Sequence, residues 1–245
     1  MNDIKQLLAN AKRPVFIWGA GMRAYRDDAL LLARELQIPV ACTWGAIDLM
    51  HYDDSLYCGG FGTHGTRAAN FAVQNADLII SIGSRLDTKA TGHPPHFARA
   101  AKIVMVDIDQ AEISKFNLLD RKMDIPLCMN AEEFIDKLLS KTDSRWNDDW
   151  INTIQRWRRL WDDPVVTWPG VNPYQLMKDI GKYTTNDDIT VSDTGTVIGY
   201  VCQAFPFKGE RMIHAWNMTP MGYGLGAAVG AAFARGGTGR VILIT

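Results

Sequence analysis

The sequence predicts an α/β protein with a Rossmann-like parallel sheet in a first domain, followed by an incomplete second α/β domain. Three observations support this prediction. Strand and helix patterns alternate along residues 1–140, the strands are apolar without alternation, and a second alternating series occupies residues 171–245. Uninterrupted apolar strands are typical of parallel sheets covered by helices on both faces. Between the two series, residues 141–170 are predicted to form a tryptophan-rich helical linker.

The first domain contains four strand patterns with helix patterns between them. We predict strands in PVFIWGAG (ending in a tight turn), IPVACTW, DLIISIG and AKIVMVDID, and helices in RDDALLLARELQ, RAANFAVQNA and AEEFIDKLLSK. For the first of these helices, the helical period makes five residues candidates for the buried side: Leu30, Leu31, Ala33, Leu36 and Ile38.

The tryptophans of the linker predict a helix with one apolar stripe. Trp146, Trp150, Trp157 and Trp161 are spaced 4, 7 and 4 residues apart, which places them on one side of an α-helix. Such a stripe indicates a helix packed onto a domain surface. The alternative is a set of rings that stack on a cofactor.

The second domain begins with a well-marked helix. Asn172 is a favourable N-cap, and Pro173 follows it at the first helical position. A strand that ends in a loop (DITVSDTG), a helix in VIGYVCQAF, the segment RMIHAWN and a glycine-rich helix in MGYGLGAAVGAAFA come next. The apolar run 241–244 predicts a strand buried on both faces of a sheet. Because the sequence reaches its last residue directly after this strand, we expect the second domain to be incomplete.

The composition indicates an ordinary cytoplasmic protein. The formal net charge is −1 and no basic run is present, so we expect no nucleic-acid partner. The longest stretch of low charge, 218–234, is too short and too weakly apolar to span a bilayer, and the start of the chain is not a signal peptide. The four cysteines are scattered, which predicts reduced core residues and neither a disulfide framework nor a zinc site.

The first strand is followed by a glycine pattern found in dinucleotide-binding proteins. Gly19, Gly21 and Ala24 match G-x-G-x-x-A between a strand and a helix. A nicotinamide site also needs an acidic residue at the end of the next strand, where this chain has Thr43 and Trp44. This disfavours a nicotinamide-dependent dehydrogenase. A tight structural turn and a differently placed nucleotide or flavin phosphate remain as alternatives.

Two further segments of the first domain carry candidate ligand-binding groups. GGFGTHGTRAAN places four glycines around His64 at the start of a helix, which indicates either an anion-binding turn or a surface loop. Arg85 and Lys89 follow a strand directly, at the edge of the sheet where α/β proteins bind ligands. His93 and His96 are separated by two prolines and have no third ligand nearby, so a metal site is disfavoured.

The second domain contains a predicted phosphate-binding turn and a helix that is unusually rich in glycine. Residues 193–196 (DTGT) lie between a strand and a helix N-terminus, where small residues and unpaired N–H groups favour an anion. Gly222, Gly224, Gly226 and Gly230 lie in or just before the next helix, where each glycine costs up to about 1 kcal/mol relative to alanine. Close packing on a sheet or close approach of a ligand would offset that cost.

Taken in order, these segments resemble the thiamine diphosphate (ThDP) enzymes of the acetolactate synthase type. RPVFIWGAG, GGFGTHGTRAAN, ADLIISIGSRLD, TGHPPHFARAAKIVMVDIDQAEISK and MDIP are similar to the family's central domain. VSDTGTVIGY and NMTPMGYGLGAAVGAAFA are similar to the start of its ThDP-binding domain. The resemblance covers nearly the whole chain and implies a fragment. The family's pyrimidine-binding domain, with its activating glutamate, is expected before Met1, and its Gly-Asp-Gly motif and Asn, which bind Mg²⁺, after Thr245.

The resemblance implies a function and a set of partners. The full protein would add ThDP to a 2-keto acid, release CO₂ and transfer or release the remaining group, with no catalytic residue and no metal ligand in this chain. It would be a homodimer or homotetramer. The alternative function is a non-catalytic Rossmann-like module that binds a nucleotide or a diphosphate.

The resemblance also implies two sets of site residues. For ThDP, the residues that match the diphosphate loop are Thr194, Gly195, Thr196 and Val197. Thr219 matches the residue whose backbone carbonyl accepts a hydrogen bond from the cofactor's amino group. Met221 matches the bulky residue that holds the cofactor in its bent conformation. For flavin adenine dinucleotide (FAD), the matching residues are His64, Gly65, Arg85 and Asp107.

Two departures from the family pattern bear on these expectations. Gly226 stands where the family usually has proline, and Lys89 where acetolactate synthases usually have arginine. The resemblance is therefore to a relative of the acetolactate synthases. An alternative to FAD binding at the four flavin-site residues is a nucleotide site that has lost its ligand.

Overall fold

The computed structural model describes residues 1–139, 148–162, 167 and 169–245. Its strands are β1 (Pro14–Trp18), β2 (Val40–Cys42), β3 (Tyr57–Gly60), β4 (Leu78–Ile82), β5 (Lys102–Asp107), β6 (Ile125–Cys128), β7 (Ile189–Ser192), β8 (Arg211–Ile213) and β9 (Val241–Ile244). Its helices are α1 (Asn2–Asn10), α2 (Arg26–Leu36), α3 (Arg67–Asn75), α4 (Thr88–Thr91), α5 (Gln110–Ser114), α6 (Ala131–Leu139), α7 (Asp148–Trp161), α8 (Pro173–Lys182), α9 (Thr196–Ala204) and α10 (Tyr223–Ala234).

The first sheet has six parallel strands in the order β3-β2-β1-β4-β5-β6, which confirms the predicted Rossmann-like fold. Two of these strands were not predicted, because β3 ends in Gly59 and Gly60 and β6 contains Pro126. Both lie at edges of the sheet, where such residues are tolerated. Cys128 on β6 is exposed, so the expectation that every cysteine is a core residue is wrong for this one.

The sheet has an apolar core on each face, because alternate residues of β1 point in opposite directions. Phe16 and Trp18 pack with Leu32 of α2 and Phe134 of α6 on one side. Residues of α3 and α7 cover the other side. The prediction for α2 is wrong at Leu31, which is 49% exposed. The buried stripe of this helix consists of Ala29, Leu32, Ala33 and Leu36, and Leu31 lies off that stripe.

The tryptophan stripe of α7 packs against α3, as its spacing predicts. The Trp150 indole N–H donates to the Pro14 carbonyl at 3.1 Å, and its ring meets that of Trp157 edge to face. Trp161 contacts Phe71 of α3 with ring centroids 4.7 Å apart. Trp146 lies outside the described residues.

The second sheet has three parallel strands in the order β8-β7-β9, with α8, α9 and α10 as the helices of this unit. Asn172 caps α8 by accepting the Tyr174 N–H at 2.9 Å, as predicted. The prediction that residues 241–244 are buried on both faces is wrong for three of the four. Only Ile244 is buried, because β9 is an edge strand of the described sheet.

A buried carboxylate joins the two sheets. Asp48, which is 2% exposed, accepts two bonds of 2.8 Å from the Arg23 guanidinium and one of 2.7 Å from the Met212 backbone N–H. Apolar residues of both units surround this connection, including Ile47 on one side and Val201 on the other. The two units are therefore joined by a buried polar contact within an apolar cluster. Among the described residues, no helix is long and apolar enough to cross a membrane.

Candidate cofactor-binding site

The predicted diphosphate loop forms the turn between β7 and α9. Gly195 is exposed, has φ of +115°, and would meet no atom within 4 Å of an added Cβ. It is the N-cap of α9, and no side chain in the described chain caps this helix. The N–H groups of its first turn, including those of Thr196 and Val197, thus lack intrahelical acceptors. Small exposed residues and unpaired donors at a helix N-terminus can bind a diphosphate.

The second predicted ThDP segment lies just before α10. Met221 is 86% exposed, and Gly222 adopts a left-handed conformation with φ of +85°. Thr219 has φ of +40° and Trp216 φ of +48°, which are uncommon conformations for residues with a side chain. The backbone conformation of this segment is therefore one that its residues do not favour on their own, and the surrounding fold must stabilise it.

Asp193 brings these two segments together. Its carboxylate accepts the Thr194 N–H at 2.7 Å and the Gly222 N–H at 3.1 Å. The hydrogen bond from the Thr194 N–H makes the largest contribution to lowering the pKa of Asp193, and the Gly224 and Gly222 N–H groups lower it further. An ionised Asp193 thus occupies the N-terminus of α10, while the N-terminus of α9 stays open. The position of Asp193 in the loop was evident from sequence, but its bonds to a segment about thirty residues away were not.

The glycines of the α10 segment have different explanations. A Cβ on Gly224 would lie 2.9 Å from both Asp193 Cβ and Leu243 Cδ1, so this glycine allows close packing on the second sheet. Gly222 supplies the left-handed turn before the helix. Nothing in the structure explains Gly226 and Gly230, whose added Cβ atoms would meet no atom within 4 Å.

The predicted FAD residues all lie at the carboxyl edge of the first sheet, and each has a protein partner. Arg85 Nε lies 3.5 Å from a Glu112 carboxylate oxygen, and the Asp107 carboxylate accepts the Asp109 N–H at 3.0 Å. The His64 ring stacks on Trp44 with centroids 5.3 Å apart. At Gly65 a Cβ would lie 2.5 Å from the Phe61 Cα, which accounts for this glycine without a ligand.

The backbone N–H groups of the loop around His64 donate to acceptors within the protein. The Gly62 N–H donates to the Asn70 side chain at 2.8 Å, and the Thr63 N–H to the Lys89 carbonyl at 2.8 Å. The Gly65 and Thr66 N–H groups donate to carbonyls of the same loop at 3.0 and 2.7 Å. With these donors engaged, the geometry does not favour an anion-binding turn.

The glycine pattern after β1 is explained by close packing. The Gly19 N–H donates to the Ile82 carbonyl and the Gly21 N–H to the Gly83 carbonyl, both at 3.0 Å. A Cβ on Gly19 would lie 2.1 Å from the Gly83 oxygen. Residues 20–25 form a 3₁₀ helix. This geometry matches the structural-turn alternative, because both N–H groups donate to carbonyls of the protein.

Side chains from the second unit cover this edge of the first sheet. Trp216 meets Trp44 edge to face at 6.1 Å, and an atom of its ring lies 3.9 Å from the position of an added Cβ on Gly45. Asn217 donates to the Asp87 carboxylate at 2.7 Å. The Trp44 ring therefore covers one face of His64, and the Trp216 ring lies beside Trp44.

The same cluster contains a second histidine. His214 is 3% exposed, its Nδ1 lies 2.9 Å from the Ser192 carbonyl, and its Nε2 has no partner among the described residues. Burial lowers the pKa of His214, and burial followed by the nearby Lys89 and His214 lowers that of His64. Both imidazoles are therefore neutral near pH 7.

Two other predicted features can be located. His93 and His96 are exposed and contact each other with ring centroids 4.7 Å apart. The described residues contain no group of three or more His, Cys, Asp or Glu side chains arranged to hold a metal ion. Burial raises the pKa of the Cys58 and Cys202 thiols to about 12, which makes them poor nucleophiles and poor ligands.

The first unit of this chain identifies the class of enzymes to which the chain belongs. Residues 1–138 match the family model of the thiamine pyrophosphate enzyme central domain, and the chain belongs to this family. Thiamine pyrophosphate is ThDP, so the family confirms the resemblance seen in the sequence and implies that cofactor.

The most informative individual relatives are acetolactate synthase subunits. The chain is 32% identical to the acetolactate synthase large subunit of Lactococcus lactis over 251 residues, which is 100% of this chain and 43% of the relative. It is 30% identical to a probable acetolactate synthase large subunit of Methanocaldococcus jannaschii (94% and 40%), and 28% identical to the isozyme 1 large subunit of Escherichia coli (96% and 41%). The chain thus spans about two fifths of the length of these relatives.

Proposed function

We propose that this chain is part of a ThDP-dependent enzyme that decarboxylates a 2-keto acid and transfers or releases the remaining group, as in acetolactate synthesis. The observation that carries the proposal is the joining of the Gly195 turn to the Met221 segment by Asp193, in a chain whose first unit belongs to the ThDP family. We further propose that residues 171–245 are the start of the ThDP-binding domain and residues 1–140 the central domain.

The residues of the second unit fit the cofactor's diphosphate. The first N–H groups of α9 have no side-chain cap, and no atom lies within 4 Å of an added Cβ at Gly195. The hydroxyl groups of Thr194 and Thr196 lie at the same turn. Val197 contributes a backbone N–H and no polar side chain, so anion binding at this position depends on the backbone.

The segment before α10 fits the heterocyclic part of the cofactor. An exposed Met221 side chain offers a flexible apolar support, and Gly222 lets the backbone turn directly after it. Thr219 has a left-handed backbone conformation, and this conformation sets the direction of its carbonyl group. When bound, ThDP would supply a nucleophilic carbon that adds to the keto group and accepts the electrons left by CO₂.

The remaining partners follow from the family and are part of the proposal. Mg²⁺ would be held by residues that this chain does not contain, together with the diphosphate. A homodimer or homotetramer would complete the site. We propose that FAD is not required, because the Trp44 ring covers one face of His64 and the side chains of Arg85 and Asp107 have protein partners.

The test uses the protein translated from the whole reading frame of the gene, purified with ThDP and Mg²⁺. We expect CO₂ release from pyruvate or 2-oxobutanoate, no dependence on added FAD, and loss of ThDP binding in Gly195→Val. Gly209→Val is a suitable control, because Gly209 also has positive φ but lies near Arg26, away from the turn.

Two results would contradict the proposal. One is ThDP binding that is equally weakened by both substitutions, which would mean that the turn acts through stability alone. The other is tight binding of ThDP with no release of CO₂ from any 2-keto acid, which would favour the non-catalytic module.

A further inference from the structure

A second cavity lies away from the proposed cofactor site. It has a volume of about 500 Å³ and is bounded by the edge strand β3, the start of α3, the end of α7 and residues of α8 and α9. None of the predicted ThDP or FAD residues lines it. Its size falls within the range of small-molecule sites, roughly 300 to 1,000 Å³.

Two arginines give this cavity its positive charge. The Arg158 guanidinium lies 5.0 Å from the ring of Tyr52 and 5.3 Å from that of Tyr57, and it donates to the Tyr52 carbonyl at 2.6 Å. The Arg67 guanidinium lies 5.8 Å from the Trp161 ring. Neither arginine forms an ion pair with a carboxylate of the described residues.

The other ionisable groups of the lining do not compensate these charges. Asp162 accepts a hydrogen bond from the Tyr52 hydroxyl and pairs with Lys178 at 3.1 Å, so it already has a cationic partner. Cys58 and Cys202 are buried and carry no charge at neutral pH. Among the described residues, Arg67 and Arg158 therefore have no carboxylate partner, and Arg158 also donates to the Gln155 side chain at 3.2 Å.

The rest of the lining is aromatic. Tyr57, Trp161, Tyr174 and Phe205 present ring surfaces, and Gln203 adds an amide. Flat rings and guanidinium planes stack on planar ligands, and a guanidinium pairs with a carboxylate through two parallel hydrogen bonds. A ligand that satisfies both features has an aromatic ring and a carboxylate.

We propose that this cavity is a binding site for a small aromatic carboxylate, distinct from the cofactor site and independent of the proposed function. The carboxylate would pair with Arg67 and Arg158, and the ring would lie between Trp161 and Tyr174. Because β3, α7 and the second unit all contribute to the lining, a bound ligand stabilises their packing.

The test is a titration of the purified full chain with anthranilate, followed by calorimetry and by the ligand's own fluorescence. Anthranilamide, which has the same ring without the charge, is the matched control ligand. We expect saturable binding of anthranilate, at least tenfold weaker binding of anthranilamide, and a rise in the unfolding temperature with anthranilate alone.

Variants locate the site. Arg67→Gln is expected to weaken anthranilate binding about tenfold or more while leaving the unfolding temperature of the free protein unchanged, because Arg67 is exposed. Arg159→Gln, on the same helix as Arg158 but outside the lining, is expected to bind like the parent chain. No saturable binding at millimolar anthranilate, equal binding of the amide, or equal weakening by both substitutions would overturn the proposal.

Discussion

The carboxyl edges of the two sheets differ in what their polar groups bind. At the first sheet, the N–H groups of Gly19, Gly21 and the His64 loop donate to protein acceptors, and Arg85 and Asp107 have protein partners. At the second sheet, Asp193 satisfies one helix N-terminus and leaves that of α9 open. The first edge holds the two units together, whereas the second has donors available to a ligand.

The difference shows that a glycine motif does not by itself identify a binding site. Gly19 and Gly195 both follow a buried parallel strand, yet an added Cβ would lie 2.1 Å from a carbonyl oxygen at the first and would meet no atom within 4 Å at the second. Glycine serves backbone packing in one case and access in the other. The comparison leads to four predictions.

The largest effect is expected at the buried junction. Asp48→Ala leaves the Arg23 guanidinium and the Met212 N–H without their acceptor, and we expect a loss of about 3–5 kcal/mol in the free energy of unfolding. Urea denaturation measures this loss. Asp53→Ala, at a side chain that is 82% exposed, is the control and is expected to change stability by less than about 0.5 kcal/mol. A small effect of Asp48→Ala would show that the junction does not hold the units together.

A smaller loss is expected at Asp193. Asp193→Ala removes the acceptor of the Thr194 and Gly222 N–H groups and releases the Met221 segment from the turn, so we expect a loss of stability smaller than that of Asp48→Ala. ThDP binding should weaken in parallel. Asp193→Asn keeps an oxygen acceptor and should recover part of both. If ThDP binds Asp193→Ala as it binds the parent chain, the two segments do not act together.

Stability should fall on mild acidification because of the histidine cluster. The pKa values of His64 and His214 are lowered from 6.5 in the folded chain, so the unfolded chain binds more protons. The contribution of these two histidines to the free energy of unfolding is therefore present above about pH 6.5 and is lost as the pH falls below that value. Lys89, Asp193 and the Ser192 carbonyl face these rings. Thermal unfolding at pH 7.5 and 5.5 measures the loss.

The control for this pH dependence is substitution of both histidines. His64→Gln with His214→Asn should flatten the change in unfolding temperature between the two pH values. His51→Gln, at a half-exposed side chain outside the cluster, should leave it unchanged. An unaltered slope in the double variant would mean that other groups cause the acid sensitivity.

The smallest stability effect is expected at Met221. Met221→Ala changes a side chain that is 86% exposed, so the free energy of unfolding should change by less than about 0.5 kcal/mol. ThDP binding should nevertheless weaken, because the apolar support of the cofactor is lost. Calorimetric titration with ThDP measures it, with Met218→Ala, equally exposed and outside the predicted contacts, as the control.

Much of the fold could be predicted from sequence, because its central strands are continuous apolar runs. Strands β3 and β6 could not, since Gly59, Gly60 and Pro126 carry no strand signal and pairing at a sheet edge decides their conformation. Residues of the candidate site were found through their motifs. What sequence could not give was the partner of each polar group, such as the bond from Asp193 to Gly222 or the contact of Trp216 with Trp44. Those depend on segments brought together only by folding.

The most direct test of the contrast between the two edges is hydrogen–deuterium exchange with and without ThDP and Mg²⁺, repeated with FAD. We predict that ThDP slows exchange at residues 194–198 and 219–224, that exchange at 62–66 and 85–89 stays unchanged, and that FAD alters exchange at neither edge. Protection by either cofactor at the first edge, or no protection by millimolar ThDP at the second, would contradict this prediction.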